Sequence, residues 1–197
     1  MMIKLKLIVA GDKDVGKTSL IHRYINNTFE SDTISTIGVD FMVKRLMMDE
    51  TPIQLSLWDF AGERKFRSLF PSYITGSSGA FILFDISNRD SFLNLAEWME
   101  LINSSSGQMV KLLVISKIDL QEQAAVLEDE VAQFVQNYQI DSVLKCSAKT
   151  GENVEQVFET ITKMIVKQTL QECPNCHEKI SKDLHFCSFC GIQITKK

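Results

Sequence analysis

The stretch that decides the fold is Gly11-Asp12-Lys13-Asp14-Val15-Gly16-Lys17-Thr18, which fits the pattern G-x-x-x-x-G-K-[ST]. The apolar run Leu5–Ala10 before it predicts a buried strand, and Leu20, Ile21 and Tyr24 after it follow helical spacing. Glycines let several backbone N–H groups face one phosphate, and the start of a helix adds positive potential. A turn that matches by chance is the alternative, but the strand and helix around the motif favour a loop that binds a nucleoside triphosphate.

Each part of this loop has an expected task. Lys17 is predicted to neutralise the β and γ oxygens of the triphosphate, and the Thr18 hydroxyl to bind Mg²⁺. The neighbouring positions, which complete the predicted phosphate contacts, are Asp14, Val15, Gly16 and Ser19. The loop alone predicts a nucleotide and does not select the base.

Strands and helices alternate along most of the chain. The patterns predict further strands at 39–43, 53–58, 80–84, 110–115 and about 142–146. They predict one helix with Phe92, Leu95, Met99 and Ile102 on the same face and a second over about 126–138. A third is predicted to begin at Asn153 as its N-cap and to continue through Gln168–Glu172. This order predicts an α/β fold with a six-stranded, mostly parallel sheet, one antiparallel edge strand and flanking helices. Such sheets bind ligands at the carboxyl ends of their strands.

Base choice is predicted to come from Ser116-Lys117-Ile118-Asp119 at the end of the 110–115 strand. The Asp119 carboxylate can accept from the ring N–H and the exocyclic amine of guanine, whereas adenine would leave it unpaired. Lys117 can cover the plane of the base. The K-x-D pattern alone also fits an ordinary solvated loop, but the segment Ser147-Ala148-Lys149 after the next strand supports the nucleotide interpretation.

These motifs, in this order, resemble a small GTPase of the Ras superfamily from residue 4 to about 168, which implies the P-loop GTPase fold with GTP or GDP and Mg²⁺ as ligands. The resemblance implies that Thr36 contacts Mg²⁺ and that Asp59 of Trp58-Asp59-Phe60-Ala61-Gly62 holds it through water. It implies that the Gly62 N–H meets the γ-phosphate and that Phe29 packs against guanine. Catalytic roles then fall to Lys17, Thr36, Gly62 and Glu63.

Within that superfamily the sequence is similar to the Rab branch. The segment Ser35–Phe41 and the triplet Phe66-Arg67-Ser68 carry the similarity. Phe41, Trp58 and Tyr73 fall where Rab proteins have an aromatic triad that effectors read, although ordinary half-buried packing of these rings is the alternative. The resemblance implies effector, GTPase-activating and exchange proteins as partners, through residues 30–38 and 60–73.

Four positions depart from the family pattern. Glu63 stands where a glutamine usually orients the attacking water, and a carboxylate accepts but cannot donate, so we expect slow hydrolysis unless a register slip moves Glu63 elsewhere. Lys13 and Asp14 replace small residues, which puts access for an arginine finger in doubt. Ser116 replaces Asn or Thr, so we expect weaker tethering of the phosphate loop and weaker nucleotide binding.

The last 27 residues contain the repeated pair C-x-x-C, with Cys173, Cys176, Cys187 and Cys190 as candidate ligands. This spacing resembles a zinc ribbon and predicts a structural Zn²⁺ site, with free thiols or a redox pair as alternatives. His177 and His185 could compete as ligands, but four cysteines suffice. We expect a GTPase domain over residues 1–170 and a zinc-ribbon-like module over 171–197 that contacts protein.

Charge and composition restrict the other functions. The net charge is −4, with 17 basic and 22 acidic residues in 1–170 and 4 and 3 in the remainder, so binding of nucleic acid is not expected. The sequence shows neither a membrane-spanning run nor a signal peptide or lipidation motif. The expectation is a cytoplasmic monomer that reaches membranes only through a partner, acting as a GTP/GDP switch or, alternatively, as a GTP-locked scaffold whose ribbon recruits a protein.

Overall fold

The computed structural model describes residues 2–29, 35–104, 109–182 and 184–194. The backbone divides into two compact units, Met1–Ile161 and Thr162–Lys197. The domain boundary predicted at residue 170 falls inside the second unit and stays a prediction. In the segment 30–38, which is predicted to contact partner proteins, residues 30–34 lie outside the described part of the chain.

The first unit contains a six-stranded sheet in the order β2-β3-β1-β4-β5-β6. Its strands are β1 (Ile3–Gly11), β2 (Val39–Met48), β3 (Thr51–Phe60), β4 (Gly79–Asp85), β5 (Val110–Ser116) and β6 (Ser142–Lys145). All neighbouring strands are parallel except β2 and β3, which form an antiparallel hairpin at one edge. The predicted mostly parallel sheet with one antiparallel edge strand is confirmed.

Helices flank this sheet. They are α1 (Lys17–Asn26), α2 (Phe70–Ile74), α3 (Arg89–Leu93), α4 (Leu95–Asn103), α5 (Glu128–Tyr138) and α6 (Val154–Thr169), with 3₁₀ turns at Arg64–Leu69 and Ile118–Gln123. The apolar face predicted from Phe92 to Ile102 is divided between α3 and α4, which meet at Asn94. Asn153 precedes α6 as predicted, but its side chain bonds the Lys145 carbonyl.

Burial explains the central strands. Every residue of β4 is buried, and β5 is buried at all positions except Lys111. Such continuous apolar runs suit parallel strands that helices cover on both faces. Each large side chain removed from water in this core contributes about 1.5–3 kcal/mol, so β1, β4 and β5 form a rigid base for the loops at their carboxyl ends.

The second unit contains a short hairpin. Strand β7 (Leu170–Glu172) pairs antiparallel with β8 (Lys179–Ser181), directly after α6. The prediction that the helix continues through Glu172 is therefore wrong from Leu170 onward, because these three residues bond to a partner strand that helical periodicity does not reveal. None of the helices in the described part of the chain is long and apolar enough to span a bilayer.

Candidate functional site

A cavity of about 470 Å³ lies at the carboxyl edge of the sheet. Most of the residues predicted to contact nucleotide line it, namely Asp14, Val15, Gly16, Lys17, Thr18, Ser19, Phe29, Gly62, Ser116, Lys117, Asp119, Ala148 and Lys149. Thr36 and Glu63 also line it. The structure thus brings together segments that are more than 100 residues apart in sequence.

The loop between β1 and α1 depends on two glycines. Gly11 has a φ of +146°, and a Cβ there would lie 2.4 Å from the carbonyl oxygen of Leu83, so no larger residue fits without a shift of backbone. Gly16 has a φ of +92°, in the left-handed region that favours glycine. Lys17 follows at the start of α1, and its ammonium donates to the Asp12 carbonyl oxygen at 2.6 Å.

The electrostatic environment of Lys17 suits an anionic ligand. Burial lowers the pKa of its ammonium to about 8, although the charges of Asp59, Asp12 and Asp14 act in the opposite direction. A buried cation is costly without a nearby anion. The phosphate oxygens of a nucleotide would supply that charge.

Three oxygen-bearing side chains meet next to this loop. The Thr18 hydroxyl lies 2.8 Å from the Thr36 hydroxyl and 2.5 Å from Asp59 Oδ2. Asp59 is fully buried, and its Oδ1 has no hydrogen-bond partner among the described residues. Burial raises the pKa of its carboxyl, while Thr18, Lys17 and Thr36 favour the ionised form. A hard cation such as Mg²⁺ prefers oxygen ligands, so this buried and partly unpaired carboxylate fits the predicted Mg²⁺ group.

The segment predicted to select the base is held by two side chains. Ser147 donates to Asp119 Oδ1 at 2.6 Å, and the Lys149 ammonium lies 3.9 Å from Asp119 Oδ2. Ser147 itself is buried, so it supports the carboxylate from behind. Lys117 has a φ of 58° and pairs with the Asp85 carboxylate at 2.8 Å.

Ser116 connects the base segment to the phosphate loop. Its hydroxyl lies 2.7 Å from the Val15 carbonyl oxygen and 2.8 Å from the Phe84 carbonyl oxygen. A hydroxyl has one hydrogen, so these two acceptors share it. The expectation of weaker nucleotide binding from Ser116 stays a prediction.

Sequence reasoning missed two supports of the base segment. Arg23 on α1 donates to the carbonyl oxygens of Ala148 at 2.7 Å and Lys149 at 2.5 Å. Asp85 closes β4; burial opposes its ionisation, but hydrogen bonds from Lys117 and Ser87 outweigh this and lower its pKa. Asp85 could have been found from the sequence, because it is a charged residue at the end of the apolar run of β4. Nothing in the sequence connects Arg23 to residue 148.

Glu63 lies at the cavity wall next to the phosphate loop. Its carboxylate is 2.7 Å from the Lys65 ammonium and 3.7 Å from the Lys13 ammonium. A hydrogen bond from Lys65 and the two positive charges lower its pKa, so the side chain is an anion at neutral pH. Just before it, Gly62 is so close to the loop that a Cβ would lie 2.1 Å from the Lys13 nitrogen.

Asp12 forms a second connection between the loop and its surroundings. Its carboxylate accepts from Arg67 at 2.9 Å, from Asn94 at 2.6 Å and from the Trp98 indole at 2.9 Å. Arg67 also pairs with Glu97 and lies over the Trp98 ring at 4.7 Å. Sequence analysis did not anticipate this network, because its members belong to three separate elements.

The three aromatic residues of the predicted triad are contiguous. The Phe41 and Trp58 rings are 4.9 Å apart and the Trp58 and Tyr73 rings 5.5 Å apart. Phe41 is 48% exposed, while the other two rings are partly buried. The arrangement offers one exposed ring on a half-buried support, and a role in effector recognition stays a prediction.

The four C-terminal cysteines form a separate cluster in the second unit. Their sulfur atoms all lie within 4.8 Å of one another, with Cys173–Cys190 at 3.7 Å and Cys176–Cys187 at 3.6 Å, and none of the four is in a disulfide. A tetrahedral Zn²⁺ site with Zn–S bonds of about 2.3 Å has sulfur–sulfur edges of about 3.8 Å, close to these distances. His177 instead pairs with a carboxylate, that of Glu172, at 2.6 Å.

Hydrogen bonds from the backbone favour the ionised state of Cys187 and Cys190 and lower their pKa values. At Cys176 a bond from the Glu178 backbone acts in the same direction, but burial and the three neighbouring sulfur atoms raise its pKa to about 12. The backbone N–H of Ile192, followed by the Asn175 side chain, lowers the pKa of Cys190 to about 6. The thiolate is the form that binds zinc. The chemistry, number and spacing of the sulfur atoms therefore fit a Zn²⁺ ion.

The fold and the cavity at the carboxyl edge of the sheet together define a nucleotide-binding protein with a phosphate-binding loop between β1 and α1. Residues 6–167 match the family model described as Ras family. The chain is 39% identical to the Ras-related protein Rab-1 of Theileria annulata over 168 residues, which cover 84% of this chain and 76% of the relative. It is 40% identical to the Ras-related protein RABC1 of Arabidopsis thaliana over 165 residues, 82% and 77% of the two chains.

A third relative extends further along the chain. The Ras-related protein Rab-18 of Lymnaea stagnalis is 36% identical over 182 residues, which cover 91% of this chain and 87% of the relative. The chain belongs to the Ras family and is a Rab-like small GTPase. The family resemblance stated from the motifs is confirmed.

Proposed function

We propose that this chain is a GTP/GDP switch that binds GTP with Mg²⁺ and hydrolyses it slowly. The observation that carries the proposal is one cavity that holds both the phosphate loop and the Asp119 carboxylate. The Ras-family match supports GTP binding and GTPase activity in general. The proposal that hydrolysis is slow rests on Glu63, which stands in place of the usual glutamine.

The phosphate end of the site would work through charge and position. Lys17 and the loop N–H groups bind the β- and γ-phosphates, and the Gly62 N–H meets the γ-phosphate. Thr18, Thr36 and Asp59 are the residues that would hold Mg²⁺. When bound, Mg²⁺ neutralises charge that develops on the phosphate oxygens. Cleavage removes the γ-phosphate that the Gly62 N–H contacts and so releases the segments around Thr36 and Gly62, which is how such proteins switch state.

Guanine selection would depend on Asp119, which Ser147 and Lys149 orient. We expect the wild type to prefer GTP over ATP by roughly 10⁴-fold, because adenine leaves the carboxylate unpaired. Asp119→Asn should lose GTP affinity and gain affinity for xanthosine triphosphate, since an amide can donate to the xanthine oxygen. Competition binding with labelled nucleotides measures this; equal GTP affinity in both proteins would refute the assignment. Asp129→Asn, an exposed substitution on α5, is the control.

Slow hydrolysis would follow from the chemistry of Glu63. Its carboxylate can accept from the attacking water but cannot donate to the γ-phosphoryl oxygens, and its charge lies near an anionic transition state. Effector, GTPase-activating and exchange proteins are expected at the segments around Thr36 and Gly62, and an activating partner would supply the missing groups. Single-turnover phosphate release from purified protein tests this, and a rate equal to that of the faster small GTPases would contradict it.

A GTP-locked scaffold is the second candidate, and Glu63 is the observation that favours it. In that case the loaded protein keeps GTP for hours, and the C-terminal module recruits a partner. The same phosphate-release measurement separates the two functions, because a switch converts its GTP and a scaffold retains it.

We also propose that residues 1–170 form the GTPase domain and 171–197 a module built around a structural Zn²⁺. A closed site with four cysteines leaves no position for substrate, so its function would be docking. Phe186 and Phe189 are 59% and 47% exposed, which suits contact with another protein. Recruitment to membranes, in this proposal, comes through such partners.

A further inference from the structure

Two residues that depart from the family pattern lie side by side in the wall of the cavity. Lys13 replaces a small residue in the phosphate loop, and Glu63 replaces the glutamine after Gly62. Their charged groups are 3.7 Å apart, and both residues line the nucleotide cavity. The side chains are 50% and 30% exposed, so each can turn toward a ligand without disturbing packed core.

The backbone keeps this pair together. A Cβ at Gly62 would lie 2.1 Å from the Lys13 nitrogen and 2.4 Å from the Asp12 carbonyl oxygen. The peptide that precedes Glu63 is therefore in direct contact with the peptide that carries Lys13. This contact fixes the distance between the two backbone segments, so the two side chains start from neighbouring positions at the cavity wall.

The two side chains contain between them the hydrogen-bonding groups of a glutamine amide. A glutamine accepts through its oxygen and donates through its NH₂ group, whereas a carboxylate only accepts and an ammonium only donates. The pair also changes the local charge. Glu63 alone would add a negative charge beside the γ-phosphate, but with Lys13 the pair is neutral, and Lys65 on the other carboxylate oxygen makes the cluster positive.

Other cations near this wall are already paired. Arg64 bonds Glu97 at 2.9 Å, and Arg67 bonds both Glu97 and the Asp12 carboxylate. Lys17 donates to the Asp12 carbonyl oxygen from its buried position. Among the described residues, Lys13 is thus the loop cation placed to act together with Glu63.

We propose that Lys13 and Glu63 divide the task of the missing glutamine: the Glu63 carboxylate orients the attacking water, and the Lys13 ammonium donates to a γ-phosphoryl oxygen. This inference rests on the proposed GTPase function and names the residues that sustain its intrinsic rate. Lys13 acts as a catalytic cation supplied by the chain itself.

The reaction is a displacement at the γ-phosphorus. The water oxygen forms the new P–O bond while the bond from phosphorus to the β–γ bridging oxygen breaks, and its electron pair leaves with GDP. Both hydrogens of the water remain on dihydrogen phosphate, which releases one to solvent at neutral pH. Glu63 only accepts a hydrogen bond throughout, and Lys13 keeps its proton while it stabilises charge on the equatorial oxygens.

A four-protein cycle tests the pair: wild type, Lys13→Met, Glu63→Gln and the double variant, each loaded with GTP and excess Mg²⁺, without any partner. We expect Lys13→Met to slow single-turnover hydrolysis by about ten- to a hundredfold, toward the loss seen when a transition-state donor is removed. The double variant should regain most of that loss, because glutamine brings its own donor. Lys4→Met, an exposed substitution on β1, should hydrolyse like the wild type.

Two binding measurements separate catalysis from simple folding or affinity effects. Lys13→Met should bind GTP within about threefold of wild type, whereas its affinity for GDP with aluminium fluoride, a transition-state mimic, should fall in proportion to the rate. The proposal is overturned if Lys13→Met hydrolyses at the wild-type rate while binding GTP. It is also overturned if Glu63→Gln fails to restore the Lys13→Met variant. Loss of GTP binding by the wild type would instead refute the proposed function itself.

Discussion

At Ser116 we expect a single hydroxyl to influence nucleotide retention without facing the nucleotide's reacting atoms. It is buried at the end of β5 and bonds the carbonyl oxygen of Val15 in the phosphate loop. The loop and the base segment meet through this contact. The asparagine usual at this position has a larger amide side chain that could bond more groups of the phosphate loop. The prediction of weaker nucleotide binding therefore depends on how strongly the single hydroxyl of Ser116 holds that loop.

Ser116→Ala should therefore speed GDP release. Losing one buried hydrogen bond costs about 0.5–1.5 kcal/mol, so dissociation should accelerate by roughly two- to tenfold. Stopped-flow release of a fluorescent GDP analogue measures the rate. Ser104→Ala removes an exposed hydrogen bond to Leu101 far from the cavity and should leave release unchanged. Equal rates in all three proteins would show that Ser116 does not tether the loop.

At the scale of single residues, chemistry could be predicted from the sequence but pairing could not. Motif position and residue type predict that Lys17 and Asp119 meet at one site, and both line the cavity. Asp12 fits the same motif, yet its partners Arg67, Asn94 and Trp98 come from other elements. Such contacts depend on how the 3₁₀ turn and α4 approach the loop, which no local pattern encodes.

The helices and strands agree with their sequence patterns wherever burial of apolar side chains decides the structure. The apolar runs at 80–84 and 110–115 became β4 and β5 almost unchanged, because burial on both faces leaves few alternatives. Two differences from these patterns, one a divided helix and one a wrong helical continuation, have physical causes. Asn94 separates α3 from α4 while the apolar face continues, and β7 exists because Leu170–Glu172 bonds β8.

Helix α5 begins at Glu128 and is anchored by one acidic residue of its first turn. The Glu130 carboxylate bonds the Arg89 guanidinium at 2.5 Å and the Leu127 backbone N–H at 3.0 Å. The bond from Arg89 has the larger effect, and together the two bonds lower the pKa of Glu130 from 4.5 to about 2. Its ionised form is therefore favoured by the folded state.

This shift predicts a pH dependence of stability. Because the folded pKa is lowered, the contribution is complete above the unfolded value of 4.5 and is lost as the pH falls from there toward 2. Glu130→Gln should lower the free energy of unfolding at pH 6, and the difference from wild type should shrink between pH 4.5 and 3. Urea titrations over this range measure it, with Glu152→Gln on an exposed turn as the control. A difference independent of pH would contradict the assignment.

For the molecule as a whole, the nucleotide cavity could be predicted because parallel strands end at one edge of a sheet. The loops after β1, β3, β5 and β6 all follow this rule, so motifs distant in sequence were expected to meet. The C-terminal module, residues 171–197, is expected to depend on a metal for its fold. Its buried cluster consists of Cys173, Ile180, Cys187 and Ile194, which is too small an apolar core to stabilise about 27 residues alone.

Zinc removal should therefore unfold the module while leaving GTP binding intact. We expect one Zn²⁺ per chain in the purified full-length protein, by elemental analysis, because ligand binding by four thiolates supplies the folding energy that the small core lacks. Cys187→Ser should lose the metal and make residues 171–197 sensitive to protease, with nucleotide affinity unchanged. His177→Ala should retain full zinc content, since that imidazole bonds Glu172 and lies outside the sulfur cluster. A metal-free wild type whose C-terminal segment resists protease would refute a structural role for zinc, because the hairpin β7–β8 would then be stable without it.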